Sequence, residues 1–197
     1  MKRLFDIFAA AIALILLSPL LFLAALLIRL DSSGPIFFRQ ERIGKEFHPF
    51  WIYKFRTMSD GADKNGPLVT VGDDARISRV GRFLRKSKID ELPQLINILK
   101  GEMSVVGPRP EVRSYVELFH DDYQEILKVR PGLTDLASLK YRNEAEILGR
   151  AVNPREAYIS LILPDKIALG KKYVHSSSLG FDLELIFKTL VKLAARS

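Results

Sequence analysis

From Ile7 to Ile28 the chain reads IFAAAIALILLSPLLFLAALLI, a run with no charged residue, bounded by Lys2, Arg3 and Asp6 on one side and Arg29 and Asp31 on the other. As a helix it would reach about 33 Å, enough to cross a hydrocarbon core about 30 Å thick. Length therefore permits a membrane span. A secretory signal is a poorer fit, because the run is long and the RLDSSGPIFFRQ that follows offers no evident small-residue cleavage site.

Two features pull against a simple span. Ser18-Pro19 falls at the middle of the run, where proline removes a helical hydrogen bond and disfavours helical geometry in the residue before it. A kink or break is expected there. The flanking charges, Lys2 and Arg3 before and Arg29, Arg39, Arg42 and Lys45 after, would hold both ends on the cytoplasmic side by the positive-inside rule. Together they predict a re-entrant helix-break-helix hairpin over residues 1–31 that dips into one leaflet and returns, broken at Ser18 and Pro19. A kinked spanning helix uses the same residues and stays open as the alternative.

The remaining sequence is basic. With 30 Lys and Arg against 23 Asp and Glu, the net charge of +7 favours anionic partners: phospholipid headgroups, phosphorylated substrates or nucleic acid. The lack of cysteine excludes disulfides and thiolate metal sites. His48, His120 and His175 have no metal-ligand spacing.

After the turn-like SSGP at 32–35, residues 36–58 (IFFRQERIGKEFHPFWIYKFRTM) predict short strands joined at Gly44 and at His48-Pro49. Lys54 and Arg56, two apart, would face the same way on a strand. Residues 59–74 read as a surface loop. Ile77, Val80 and Leu84 predict an amphipathic helix over 75–84, lined by Arg76, Arg79, Arg82 and Arg85. A second helix is expected to open at Asp90 as N-cap, with Pro93 in its first turn, Leu92, Leu95, Ile96 and Leu99 as its buried face, and Gly101 at its end. VVGPRP at 105–110 reads as a rigid turn carrying Arg109, 111–127 as helical, RPGLT at 130–134 as a turn, and YRNE at 141–144 as the start of a polar segment with Arg142. FDLELIFKTLVKLAAR sets Lys188, Lys192 and Arg196 four apart on an otherwise apolar helix, either packed on the core or lying among headgroups. The expected class is α/β, mostly helical with short strands.

The adjacent acids Asp90 and Glu91 in KIDELPQL follow a basic run and stand at a helix mouth, where backbone amides and the dipole would favour the anion. A carboxylate with a low pKa is a poor general acid at neutral pH and suits metal binding or nucleophilic attack. Attack on phosphorus requires cations around the phosphoryl oxygens, and Arg85, Arg109 and Lys54 are candidates together with Mg2+. The competing reading makes Asp90 only a cap and Glu91 a solvated acid.

The combination of an apolar N-terminal segment with a central Ser-Pro, KFRTM, a basic stretch leading into DELPQLINILKGEMSVVGPRP, and RPGLT resembles the bacterial sugar transferase family, the monotopic phosphoglycosyl transferases. The resemblance covers nearly the whole chain and looks like the compact catalytic form. It implies a re-entrant hairpin over 1–31, a catalytic domain over 32–180 on the cytoplasmic face of a bacterial inner membrane, and an amphipathic helix over 181–197. It further implies transfer of a phosphosugar from a UDP-sugar to polyprenyl phosphate with release of UMP. In that scheme Asp90 is the nucleophile and a Mg2+ ligand, Glu91 assists, and Lys54, Arg56, Arg85, Arg109 and Arg142 face phosphate. Membrane lipids are implied partners, a homodimer is compatible, and nucleic acid is not expected, since a nucleic-acid binder gains nothing from two acids beside its basic helix. Where relatives carry a GWAQV-like stretch after RPGLT, this chain reads TDLASLKYRN, which leaves the sugar and the role of Arg142 open. Two other classes share some of these features: a membrane-tethered anion-binding or nucleic-acid-binding module, and a lipid-phosphate hydrolase using water in place of the polyprenol.

Overall fold

The structure is a computed structural model that describes residues 1–59, 61, 71 and 74–195. Most of the loop expected over 59–74, and Arg196, lie outside the described residues. The chain is mostly helical with short strands, as the sequence predicts.

The apolar run forms one helix, α1 (Lys2–Asp31), which continues through Pro19. Of the kink or break expected at Ser18-Pro19, a full break is therefore absent, and the reason is local. Proline at position 19 leaves the Ile15 carbonyl without its usual amide donor, and the Ser18 hydroxyl donates to that carbonyl at 2.8 Å. Among the described residues α1 is the one helix long and apolar enough to cross a membrane. It is not free of the rest of the fold. A narrow stripe of Asp6, Ala10, Ala24 and Ile28 is buried, while Phe8, Ile15, Leu16, Phe22 and Leu30 on the remaining surface are exposed.

Both ends of α1 are tied to the same globular body. Near the first end, Asp6 accepts from the Ser104 hydroxyl and, at 3.0 Å, from the Val105 amide. Lys2 donates to the Val106 carbonyl and to Asp182, and Arg3 to the carbonyls of Ile98 and Leu99. The two cations that read as topogenic charges thus also fasten the helix. At the other end Ala24 and Ile28 pack with Phe55 and Leu84.

Strands β1 (Phe37–Ile43) and β2 (Pro49–Phe55) pair antiparallel, with Arg39 opposite Tyr53 and Phe38 opposite Lys54, and join through Gly44, a short 3-10 turn and His48 where turns were expected. Helix α2 (Arg79–Ser87) starts later than the periodicity implies. Ser78 caps it by accepting from the Gly81 amide at 3.0 Å, and Ile77 instead bridges Met58. Gly81 is required by a close approach: a Cβ there would sit 2.0 Å from the Thr57 carbonyl oxygen.

A 3-10 turn (Ile89–Glu91) leads into α3 (Gln94–Lys100), which ends at Gly101 with φ +88°. Asp90 is not its N-cap; α3 begins four residues later, after Pro93, with no side-chain cap. Its buried face is only partly the one expected: Leu95 is buried as read, but Ile98 joins it while Ile96 and Leu99 are exposed. The face is turned because Asn97 points inward and stitches the side of β2, accepting from the Tyr53 amide at 3.0 Å and donating to the Trp51 carbonyl at 2.8 Å.

Beyond α3, β3 (Ser104–Val106) pairs in parallel with β4 (Gly132–Thr134). RPGLT is thus a strand rather than only a turn, and the contact is tight: a Cβ on Gly132 would sit 2.0 Å from the Gly107 amide nitrogen. The helix expected over 111–127 is two, α4 (Arg113–Leu118) and α5 (His120–Ile126), divided at Phe119, whose φ is −121°. Helices α6 (Leu136–Lys140), α7 (Glu144–Gly149) and α8 (Pro154–Ala157) follow, then a π turn (Tyr158–Ile162), α9 (Leu163–Ser176) and α10 (Leu179–Ala194). Tyr123, Tyr158, Ile162 and Leu163 belong to the core that these helices share with Ile43. Helix α10 buries Leu185 and leaves Leu183, Phe187 and Leu190 exposed. Its lysines are engaged with protein: Lys188 with Glu184 at 2.5 Å, and Lys192 with the Leu139 carbonyl.

Candidate active site

Three segments converge on the acid pair. β2 brings Lys54, the turn after β3 brings Arg109, and the 3-10 turn ahead of α3 carries Asp90 and Glu91. Lys54 Nζ lies 2.8 Å from Glu91 Oε1, and Arg109 grips the same carboxylate through both terminal nitrogens, Nη1 at 3.2 Å from Oε2. This is a bidentate pair of the kind guanidinium geometry favours. The Arg109 backbone is held in turn, its amide donating to Asp135 at 3.1 Å. Asp135 accepts from the Ser138 amide with its other oxygen, so one carboxylate caps α6 and fixes the Arg109 turn.

Asp90 differs from its neighbour. It is 7% exposed, and its Oδ1 has no hydrogen-bond partner among the described residues. Burial, with Glu91 beside it, pushes its carboxyl up from 3.8 to about 6 against the pull of Lys54, Lys88 and Arg85. The expectation of a depressed pKa fails here because the dipole and amides of a helix mouth are not available: no side-chain cap forms, and desolvation dominates. For Glu91 burial acts in the same sense, yet Arg109 and Lys54 hold it well below the carboxylate range. Glu91 in return raises Arg109. Burial lowers Lys54, with Glu91 opposing.

Arg85 completes the group. Its Nε donates to Thr57 Oγ1 at 2.7 Å, and burial lowers its pKa while Asp90 opposes that. Arg56 goes elsewhere. Since β2 ends at Phe55, Arg56 does not share the direction of Lys54; it is buried and donates to the carbonyls of Ser32 and Ser33 at 2.8 and 2.6 Å, tying the linker after α1. Arg142 is also placed apart: its guanidinium meets the Lys192 carbonyl near the end of α10.

The structure adds residues that spacing did not mark. Arg42, read above only as a flanking charge, lies 3.4 Å from Glu111 and close enough to Glu91 and Arg109 to feel their charge. Glu111 accepts from the Tyr158 hydroxyl at 2.5 Å, and burial together with Glu111 raises the Tyr158 pKa strongly. Glu111 follows GPRP directly, which was the one available hint. Asn97 and Asp135 had none, since their roles depend on strands distant in sequence.

Among the described residues no group of three or more His, Cys, Asp or Glu could hold a metal ion. An orphaned buried carboxylate oxygen on Asp90 nevertheless fits one ligand position for a hard cation that takes its other oxygens from substrate phosphate and water.

Residues 1–196 match the family described as bacterial sugar transferase. The chain belongs to that family. A UDP-N-acetylgalactosamine-undecaprenyl-phosphate N-acetylgalactosaminephosphotransferase of Aeromonas hydrophila is 40% identical over 194 residues, covering 96% of this chain and 42% of its own length. The exopolysaccharide production protein PSS of Rhizobium leguminosarum bv. phaseoli is 40% identical over 203 residues, covering 100% and 96%. A UDP-glucose:undecaprenyl-phosphate glucose-1-phosphate transferase of Caulobacter vibrioides is 41% identical over 199 residues, covering 98% and 69%. The chain thus spans less than half of the first of these relatives and nearly all of the second.

Proposed function

We propose that this chain transfers a sugar phosphate from a UDP-sugar to polyprenyl phosphate, starting assembly of a glycan on the lipid. The observation that carries the reading is the buried Asp90 carboxylate, one oxygen of which has no partner among the described residues, standing beside a Glu91 held by both Lys54 and Arg109. Relatives named as undecaprenyl-phosphate sugar phosphotransferases support the substrate class.

An Asp90 oxygen attacks the β-phosphorus of the donor, forming an acyl phosphate as the bond to the bridging oxygen breaks and UMP departs with that electron pair. A phosphate oxygen of the polyprenyl phosphate then attacks the same phosphorus, and the Asp90 carboxylate leaves with its electrons. Lys54, Arg85 and Arg109 supply positive charge where phosphoryl oxygens gather, and Glu91 keeps Lys54 and Arg109 aligned. Magnesium, held by Asp90 and the donor's phosphates, would neutralise diphosphate charge when bound.

The fastening of both ends of α1 to one body supports insertion from a single, cytoplasmic face, with the exposed apolar face of α1, which carries Phe8, Ile15, Leu16 and Phe22, as the part set in lipid. Cysteines placed at positions 2 and 35 in intact cells should resist a reagent confined to the outside; labelling of either would overturn this topology.

The reaction is tested with membrane-purified chain, Mg2+, a panel of UDP-sugars and polyprenyl phosphate. Acceptor-dependent UMP release that disappears in Asp90→Asn is the expected result. Release without acceptor at the same sustained rate points to the hydrolase, and unchanged turnover by Asp90→Asn refutes the nucleophile.

A further inference from the structure

Gln94 is 1% exposed, and its Nε2 has no hydrogen-bond partner among the described residues. A buried amide left in that state costs stability, and native folds keep few of them. Its place in the chain suggests what it serves. Asp90 and Gln94 stand four residues apart in one tight run, where Leu92 and Pro93 hold right-handed helical backbone (φ −57° and −59°) and the amides of Leu92, Leu95 and Ile96 each donate three residues back. Asp90 Oδ1, in that same run, is likewise without a partner among the described residues. One short run therefore carries an acceptor without a donor and a donor without an acceptor, and the two are not bonded to each other.

We infer that Gln94 Nε2 donates to a non-bridging oxygen of the phosphoryl group that Asp90 attacks, which makes it a substrate-binding residue of the transfer step. The inference rests on the reaction proposed above. The chemical type suits the place. A cation so near Asp90 would draw its carboxylate into an ion pair, as Lys54 and Arg109 do with Glu91, whereas a neutral amide binds the phosphoryl oxygen and leaves the nucleophile's lone pair free. The donor is held in position before charge develops, the condition under which one such hydrogen bond is worth roughly 100-fold or more in kcat.

The experiment uses the full chain in nanodiscs with Mg2+, polyprenyl phosphate and the best UDP-sugar from the panel. Wild type, Gln94→Met and Gln94→Glu are compared for UMP release and for substrate-free melting temperature. Expected is a fall in kcat of roughly 100-fold with KM for the donor within a few-fold, while Gln94→Met melts at or above the wild-type temperature because no bond was lost. A residue held only for packing would show the reverse. Turnover within threefold of wild type in either variant overturns the inference, as does a melting temperature that falls together with activity in both. Should Gln94→Met fail to fold, Gln94→Glu, which keeps the shape, decides alone by the same readouts. Lack of UMP release from the wild type would overturn the reaction itself, whereas active wild type with fully active variants removes only Gln94.

Discussion

Asp90→Asn should abolish turnover and at the same time make the protein more stable, but only above a certain pH. The folded protein holds this carboxyl at about 6, against 3.8 for the solvated carboxyl of the unfolded chain. That difference is worth about 3 kcal/mol, favouring the protonated form in the fold. Because the folded pKa is the higher, the stability contributed by the neutral carboxyl is complete below 3.8 and is lost as pH rises through about 6. Asparagine copies the neutral acid in shape and cannot ionise. Relative to wild type, it should gain little near pH 4 and about 2–3 kcal/mol at pH 8, a rise in melting temperature of about 5–10 °C for a chain of this size. The assay is thermal unfolding in detergent, followed by the fluorescence of Trp51, on both proteins at both pH values. An equal gain at the two pH values, or none at pH 8, would show that Asp90 is not a desolvated carboxylate and would remove the physical basis for its reactivity.

Three further outcomes follow from the same geometry. The pH profile of kcat/KM should fall on the acid side with an apparent pKa near 6, reporting the Asp90–Glu91 pair as a unit; a rate that stays level down to pH 4 contradicts it. Gly81→Ala places a Cβ against the Thr57 carbonyl oxygen and should cost about 1–3 kcal/mol while shifting Arg85, read as a lower melting temperature and weaker donor binding. Asp6→Ala leaves the Ser104 hydroxyl and Val105 amide without their acceptor; a loss of about 2–4 kcal/mol and faster proteolytic release of α1 are expected.

The sequence made the strand pair legible because its punctuation is local: Gly44 and His48-Pro49 mark the turns that the chain makes. The acid pair and its cations Lys54, Arg85 and Arg109 were legible for the same kind of reason, a dense motif whose members meet in space. What failed depended on contacts made at a distance. Asn97 turns α3 to reach β2, so the apolar spacing of Ile96 and Leu99 misled. Arg56 repeats the spacing of Lys54 but lies beyond the last strand residue, where linker carbonyls claim it. Asp90 was read from its place before a helix, while its pKa is set by what covers it. At Ser18-Pro19 the opposite happened: a single neighbouring hydroxyl repaired a defect that proline rules alone would leave open.

Anchoring a long helix by Lys2, Arg3 and Asp6 at one extremity and by Ala24 and Ile28 at the other has a mechanical corollary. On the proposed entry from one leaflet, the depth at which the domain rides would be set by the protein's own rigid frame rather than by how thick the bilayer happens to be. The height of the proposed reacting phosphorus above the lipid floor would then be a built-in constant, and reconstitution into thicker or thinner membranes should leave the transfer rate nearly untouched.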